Sequence, residues 1–452
     1  MKNKIIISYN IVLAILFTVL FLNQNIGLNL AIFGILFTPY LLITHSENSK
    51  NKSALFSGML FLGLSIVPFF HQSTYVFWSL FFSFFLFVGT LINTQNSYIT
   101  KIINGIFNTV AFLEIRKETT SHKFNLKKYI FYFILIGISF IIGIIFILLY
   151  SSSNEKFAEI FSNITIRFDW IFTTLAAFII LYKISFSNKI ENLTKIDLKS
   201  PLHLLKKKES LKNQKRKIQE TQIGNSLLIT LNAILIFYFI TFFMESPELK
   251  STTLSEAVHQ GVNTLIISII FAIGIILYFF RGNINFYKKN KSLKILSYIW
   301  ITLNIILVFT TIYRNTQYIQ FSGFTYKRFG VILFLTSTLI GLFTTFIKIQ
   351  NKKTFWYLLK TNVQIIGTFL LLISFFNWNA IFTKFNLYQA KIVDLEYLMR
   401  IKYDVETFKK YSETNPLSEQ IKLKIDSEYR FNQTERENQK WQEYTFNHFV
   451  EE

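Results

Sequence analysis

YIFYFILIGISFIIGIIFILLY, residues 129–150, decides the class of this chain. No side chain in it is charged. At about 1.5 Å per residue, a helix of this length crosses the roughly 30 Å of hydrocarbon in a bilayer. Only helices and closed barrels satisfy their backbone hydrogen bonds in lipid. Barrel strands alternate apolar and polar residues over about ten positions. This run does not alternate, so it reads as a helix.

Similar runs lie on both sides of it. Toward the N-terminus they cover residues 6–22, 26–44, 55–70 and 75–92; beyond it they cover 170–182, 224–243, 259–280, 295–313, 329–347 and 356–376. The expectation is an all-α, polytopic membrane protein with about eleven transmembrane helices. Composition agrees. Of 452 residues 51% are hydrophobic, 18% are aromatic and only 16% are charged, with a mean hydropathy of +0.37. Soluble domains carry about a quarter charged residues. The start, Met1-Lys2-Asn3-Lys4 and an apolar run, has the form of a signal peptide. The run is long and no small-residue cleavage site follows, so it is expected to stay as the first helix. Residues 98–115 carry Lys101 and Glu114 near their ends and Asn104 and Asn108 on one side. They are expected to lie in the interface.

The formal charge of +21 raises the question of nucleic acid. Basic patches do neutralise phosphates, but no zinc spacing, helix-turn-helix or aromatic-studded basic domain is present. The cations read instead as loop charges that fix orientation. With an inside N-terminus, the segments 1–5, 45–53, 94–128, 183–222, 281–294 and 348–360 hold 30 of the 47 Lys and Arg, against six in the opposite short loops. That is the sense of the positive-inside rule, and it puts the C-terminus outside. The expected localisation is a bacterial inner membrane. The domain reading is a membrane region, 1–376, with spans one to six and seven to eleven separated by the basic cytoplasmic loop 183–222. An extracytoplasmic tail, 377–452, follows. The tail is near neutral, with 11 basic and 13 acidic residues. Helical spacing of its apolar residues predicts two or three amphipathic helices, broken at Pro416.

Polar residues in or beside spans are the place to look for function, because burying them is expensive. Under this topology His71, Asp169, Glu245, Glu256, His259, Arg314, Lys327, Arg328 and Asn377 collect at outward helix ends. The positive-inside rule disfavours Arg314, Lys327 and Arg328 there, so they call for a reason. Thr253 and Glu256 form a capping box. Glu256, His259, Gln260 and Asn263 then share one helix face, where a carboxylate beside an imidazole can move protons or hold a ligand. The competing reading is a capped helix start whose polar groups bond neighbouring helices. Ligand candidates are therefore Glu256, His259, Asn263, Arg314 and Arg328; no catalytic residue is assigned. Glu256 and His259 match the E-x-x-H of di-iron bundles, but no second copy exists, so no metal is expected. Phosphate-loop, dinucleotide and hydrolase motifs are absent, and no cofactor is expected. Asn232, Asn304 and Asn362 are expected to bond between helices.

Several stretches taken together carry a resemblance. They are SEAVHQGVN from Ser255 to Asn263, TYKRFGV from Thr325 to Val331, NWNAI from Asn377 to Ile381, Lys384-Phe385-Asn386, and DLEYL from Asp394 to Leu398. In their order and spacing the chain resembles a family of bacterial multi-pass membrane proteins catalogued as the domain of unknown function numbered forty-one seventy-three. The resemblance covers about the last 230 residues by motif and the first 200 by hydropathy. It implies a shared fold and points to His259, Arg328 and Asn386 as recurring positions without giving them roles. Phe385 stands where a tyrosine would be expected.

Three functional readings follow. The first is transport or sensing of a small anionic ligand in an outward polar vestibule, with Arg314 and Arg328 on the anion and Glu256 and His259 as a proton-responsive pair. The second is a membrane-embedded transferase or hydrolase acting on lipid-linked substrates. The third is a scaffold that docks a protein partner through the C-terminal helices. The expected partners are thus the lipid bilayer, a small anion and such a protein.

Overall fold

The structure, a computed structural model, describes residues 2–110, 167–206, 211–244, 273–287, 289–401 and 405–450, with scattered positions in 138–156 and 266–271. Among the described residues there are helices and no strands. The helices are α1 (Lys2–Phe21), α2 (Leu28–Thr44), α3 (Ser46–Ser49), α4 (Lys52–Phe70), α5 (Thr74–Ile92), α6 (Tyr98–Val110), α7 (Phe168–Ser185), α8 (Glu191–Lys199) and α9 (Leu211–Met244). After the apolar stretch Ile266–Phe279 come α10 (Lys291–Ser322), α11 (Tyr326–Gln350) and α12 (Phe355–Ile373), and then the tail helices α13 (Trp378–Tyr388), α14 (Leu395–Arg400), α15 (Val405–Thr414), α16 (Glu419–Glu437) and α17 (Phe446–Val450).

Eight of the described helices are long and apolar enough to cross a membrane, and Leu28–Thr44 and Ile266–Phe279 are shorter apolar ones. Each of the ten falls on a run expected to span. The run 129–150 lies mostly outside the described residues. Polarity is inverted relative to a water-soluble protein. Ile43, Met59, Trp78, Phe172 and Phe237 are each at least two-thirds exposed, while Asn10, Asn29, Ser65, Ser83 and Asn315 are fully buried. Burying amides while exposing phenylalanine lowers the free energy only where the surroundings are apolar. The chain is an integral, multi-pass membrane protein.

Two compact units are present, 1–23 with 107–187 and 24–106 with 188–452. In the first, α1 and α7 run antiparallel. Thr18 and Thr174 share a hydroxyl hydrogen bond of 2.8 Å near one end, and Ser185 donates to Asn10 Oδ1 at 3.1 Å near the other.

In the second unit, successive helices pack as neighbours from α2 to α4 to α5 and from α9 through α10 and α11 to α12. Asn232 donates to the Leu296 carbonyl between α9 and α10, Ser268 donates to Asn304, and Thr344 donates to Asn362, so all three asparagines bond between helices. Lys348, 2% exposed, donates to the Phe280 carbonyl at 3.0 Å just beyond the apolar stretch.

Two expectations change. A Cβ on Gly89 of α5 would collide with the Lys101 carbonyl, and one on Gly105 of α6 with the Phe85 carbonyl. These two close approaches, each four residues apart, mean that α6 turns back antiparallel along α5 instead of lying across the surface. Small residues permit such backbone approach. Its buried stripe is Thr100, Lys101, Asn104 and Asn108, and its exposed side carries Ile103, Ile106 and Val110. The basic loop 183–222 is also shorter than expected, because α7 extends to Ser185 and α9 begins at Leu211.

Among the described residues the tail has five α-helices where two or three were expected. Helix α14 starts only at Leu395, capped by Asp394, whose Oδ1 accepts from the Tyr397 N–H at 2.8 Å. Pro416 does separate α15 from α16.

Candidate functional site

Glu256, His259 and Asn263 lie outside the described residues. Met244, the last residue of α9, and Ile266 flank the segment that carries them. One turn before that segment, Phe242 lies 4.1 Å beneath the Arg314 guanidinium. One turn further along α10, Tyr318 sits 3.9 Å beneath the Arg328 guanidinium. Positions 314 and 318 share a helix face, so Arg314 and Arg328 lie on one side of the α10–α11 hairpin.

The hairpin turn is held by backbone and side-chain groups of the tail together with Arg328. Helix α10 ends in Gly323, at φ +78°, a left-handed conformation that favours glycine. The last carbonyls of a helix have no partner within it. Here the backbone N–H groups of Lys391 and Ile392 donate to Gln320 and Phe321 at 3.1 and 2.9 Å. Arg328 Nη1 donates to Ser322 and Gly323 at 2.6 and 2.5 Å. Next in the turn, Asn386 accepts from the Phe324 N–H at 2.5 Å and donates to its carbonyl at 2.9 Å. Thr325 caps α11, Tyr397 accepts from the Tyr326 N–H at 2.8 Å, and the Tyr326 hydroxyl donates to Asn379. Burial raises the Tyr397 pKa, so its phenol stays neutral. Phe329 packs on Trp378 with ring centroids 3.9 Å apart. Four of the five segments that carry the family resemblance, 325–331, 377–381, 384–386 and 394–398, thus meet in one place.

Arg328 therefore has a structural role at the end of α10. Two of its five N–H donors neutralise the carbonyl end of α10, where a cation is favoured. Among the described residues no carboxylate pairs with it. Lys327 is exposed on the same turn. His71, at the end of α4, meets the Phe375 carbonyl through Nε2 at 3.1 Å. Burial lowers its pKa, against the opposing pull of that carbonyl.

The opposite end of the same unit holds a second polar cluster that the sequence did not flag. Asp197 of α8, 7% exposed, pairs with Lys360 of α12 at 2.9 Å and accepts from the Ser97 N–H at 2.7 Å, ahead of α6. Lys360 also donates to the Asp197 carbonyl and to Ser200 Oγ, at 2.6 and 2.5 Å. Lys101, 3% exposed, donates to Ser53 Oγ at 2.8 Å. Burial lowers the Lys101 pKa to about 8, with the nearby Asp197 charge opposing the shift. Burial by itself would raise the Asp197 carboxyl, but the hydrogen bonds from Lys360 and Ser97 outweigh it and hold it below its ordinary range. Segment 200–204 is fastened beside this cluster by Leu204 N–H to the Lys352 carbonyl and Thr354 N–H to the Leu202 carbonyl. The available signal was Asp197 itself, the one aspartate in the lysine-rich stretch 183–222.

A family model described as Domain of unknown function (DUF4153) matches residues 10–405, which takes in both clusters. The chain belongs to that family. The expected membership in a family of unknown function stands, with the number 4153 in place of forty-one seventy-three. Neither the curated proteins nor the solved structures contain a match to this sequence. The DUF4153 match ends inside the tail, after α14 and at the first residue of α15. It therefore includes Asn379, Asn386 and Tyr397, which hold the hairpin turn.

Proposed function

We propose that this DUF4153 protein sits in a bacterial inner membrane with its N-terminus and Asp197 end inside, and that it senses or transports a small anion at the hairpin end through Arg314 and Arg328. The distribution of lysine and arginine supports the orientation. One observation carries the site. The Arg328 guanidinium is fixed by two carbonyls and a ring, faces the same side as Arg314, and has no carboxylate partner among the described residues. A guanidinium held in place with donors to spare is suited to a carboxylate or phosphate. Glu256 and His259, which follow α9 in sequence, supply the proton response.

Thermal unfolding of the purified full chain, with inorganic phosphate or succinate titrated in, tests the reading. The wild type should be stabilised in a saturable way. Arg314→Gln should abolish that response, measured as the shift from the variant's own ligand-free midpoint. Arg328→Gln should lower both. A wild type indifferent to both anions, or an Arg314→Gln variant that responds normally, overturns it.

A further inference from the structure

Helices α10, α11 and α12 and the stretch Ile266–Phe279 enclose a cavity of 260 Å³. It is independent of the two clusters already described. Trp300, Ile301 and Leu342 form part of its wall, each less than 5% exposed. Its rim includes Ile273 and Phe334, each more than a third exposed. Asn304, one of the lining residues, lies about 20 Å along α10 from Lys291. The cavity is therefore level with the hydrocarbon, and its mouth is flanked by apolar side chains on membrane-spanning helices.

Two further facts narrow the guest. Four of the five polar side chains of the wall already make hydrogen bonds, Thr338 being the fifth. Asn304 accepts from Ser268 and donates to the Trp300 carbonyl, Asn362 accepts from Thr344, and Ser337 and Thr345 donate to carbonyls of their own helix. A site for water needs two to four polar partners, and apolar cavities stay dry. Gly341, on the wall, has nothing within 4 Å of the place where a Cβ would stand. In α11 glycine costs about 1 kcal/mol against alanine and here relieves no collision, so its effect is to keep space open.

We infer that this cavity takes the hydrocarbon chain of a membrane lipid, entering between Ile273 and Phe334. The molecules that can reach such a mouth are those dissolved in the bilayer, and the wall offers dispersion contacts in place of a charge. The volume equals about nine waters at roughly 30 Å³ each, enough for a segment of one chain and too little for a headgroup with both chains.

The test uses the full chain reconstituted in phosphatidylethanolamine–phosphatidylglycerol vesicles doped with a phosphatidylcholine bearing a diazirine near the end of one acyl chain. After illumination, labelled positions are mapped by mass spectrometry. Labelling of Trp300, Ile301 and Leu342 is expected beside that of the lipid-facing Phe309 and Phe343, which are more than half exposed. Gly341→Leu should cut the labelling of the three wall residues at least fivefold and leave Phe309 and Phe343 unchanged. Gly341→Ala, which meets no neighbour, should cut it partially and serves if the leucine variant does not fold. Wall residues labelled no more than background, or labelled equally in the glycine variants, would overturn the inference.

Discussion

The two ends of the unit 24–106 with 188–452 are fastened by different chemistry. At the hairpin end, neutral amides and phenols bond backbone groups, Asn386 to Phe324 and Tyr397 to Tyr326, and one another, the Tyr326 hydroxyl to Asn379 Oδ1. Aromatic rings cover them, with Phe324 stacked on Phe382 at 5.3 Å. At the other end a buried carboxylate is shared between Lys360 and the Ser97 N–H, and a buried ammonium is held by Ser53. Neutral networks ignore pH. Buried charges do not, and losing one partner leaves the other uncompensated. The difference makes the first end a permanent fixture and the second a fastening that protons can loosen.

The largest expected effect breaks the ionic end. Asp197→Ala should cost about 3–5 kcal/mol in unfolding free energy, measured by denaturation in detergent, because Lys360 loses its counter-charge. Adding Lys360→Met should recover a good part of it. A double variant no more stable than the single would mean that the charge pair is not what holds α8. At the hairpin end, Asn386→Ala should cost about 3 kcal/mol, since the Phe324 N–H and carbonyl both lose their partner. That loss should stay the same from pH 5 to 9.

Acidity and alkalinity sharpen the contrast. The Asp197 carboxyl is depressed in the folded chain. Its stabilisation is thus complete above the unfolded value of about 3.9 and disappears as pH falls through the folded value. Lys101 acts in the opposite sense. Its pKa drops from 10.5 to about 8 on folding, so the unfolded chain binds the extra proton between those values and stability rises with pH across that window. Lys101→Met should flatten this rise and should be no less stable than wild type at pH 7. A rise unchanged in the variant would assign it to another group.

The smallest effect concerns the last tail residues. Glu443 accepts from the Asn25 N–H at 2.7 Å, and Tyr444 accepts from the Leu28 N–H at 2.9 Å. Glu443→Ala should cost about 1 kcal/mol, because the first contact is exposed and water can replace it.

Helices were the legible part of this chain. Runs of uncharged residues are dictated by the thickness of hydrocarbon, which is the same for every span, and the interhelical roles of Asn232, Asn304 and Asn362 follow from the cost of an unpaired amide in an apolar medium. The hairpin node was half legible. Arg328 and Asn386 stood out, but that Arg328 would spend donors on Ser322 and Gly323 depends on how α10 ends. The ionic end was illegible, because Asp197 and Lys360 are 163 residues apart and no spacing rule links them. Helix α6 was half legible for a related reason. Its polar stripe was visible, but whether that stripe faces headgroups or protein is decided by Gly89 and Gly105, which look like any other glycines in sequence.

The bonds from Lys391 and Ile392 to the end of α10 set an order of events during biogenesis. Ribosomes deliver the end of α10 about seventy residues, and the end of α11 about forty residues, before those two N–H groups emerge, so the Gln320 and Phe321 carbonyls must wait, bonded to water or unpaired. A nascent chain stalled or cleaved before residue 391 would insert its hairpin yet leave that seam unsealed, a defect that membrane quality-control proteases could read.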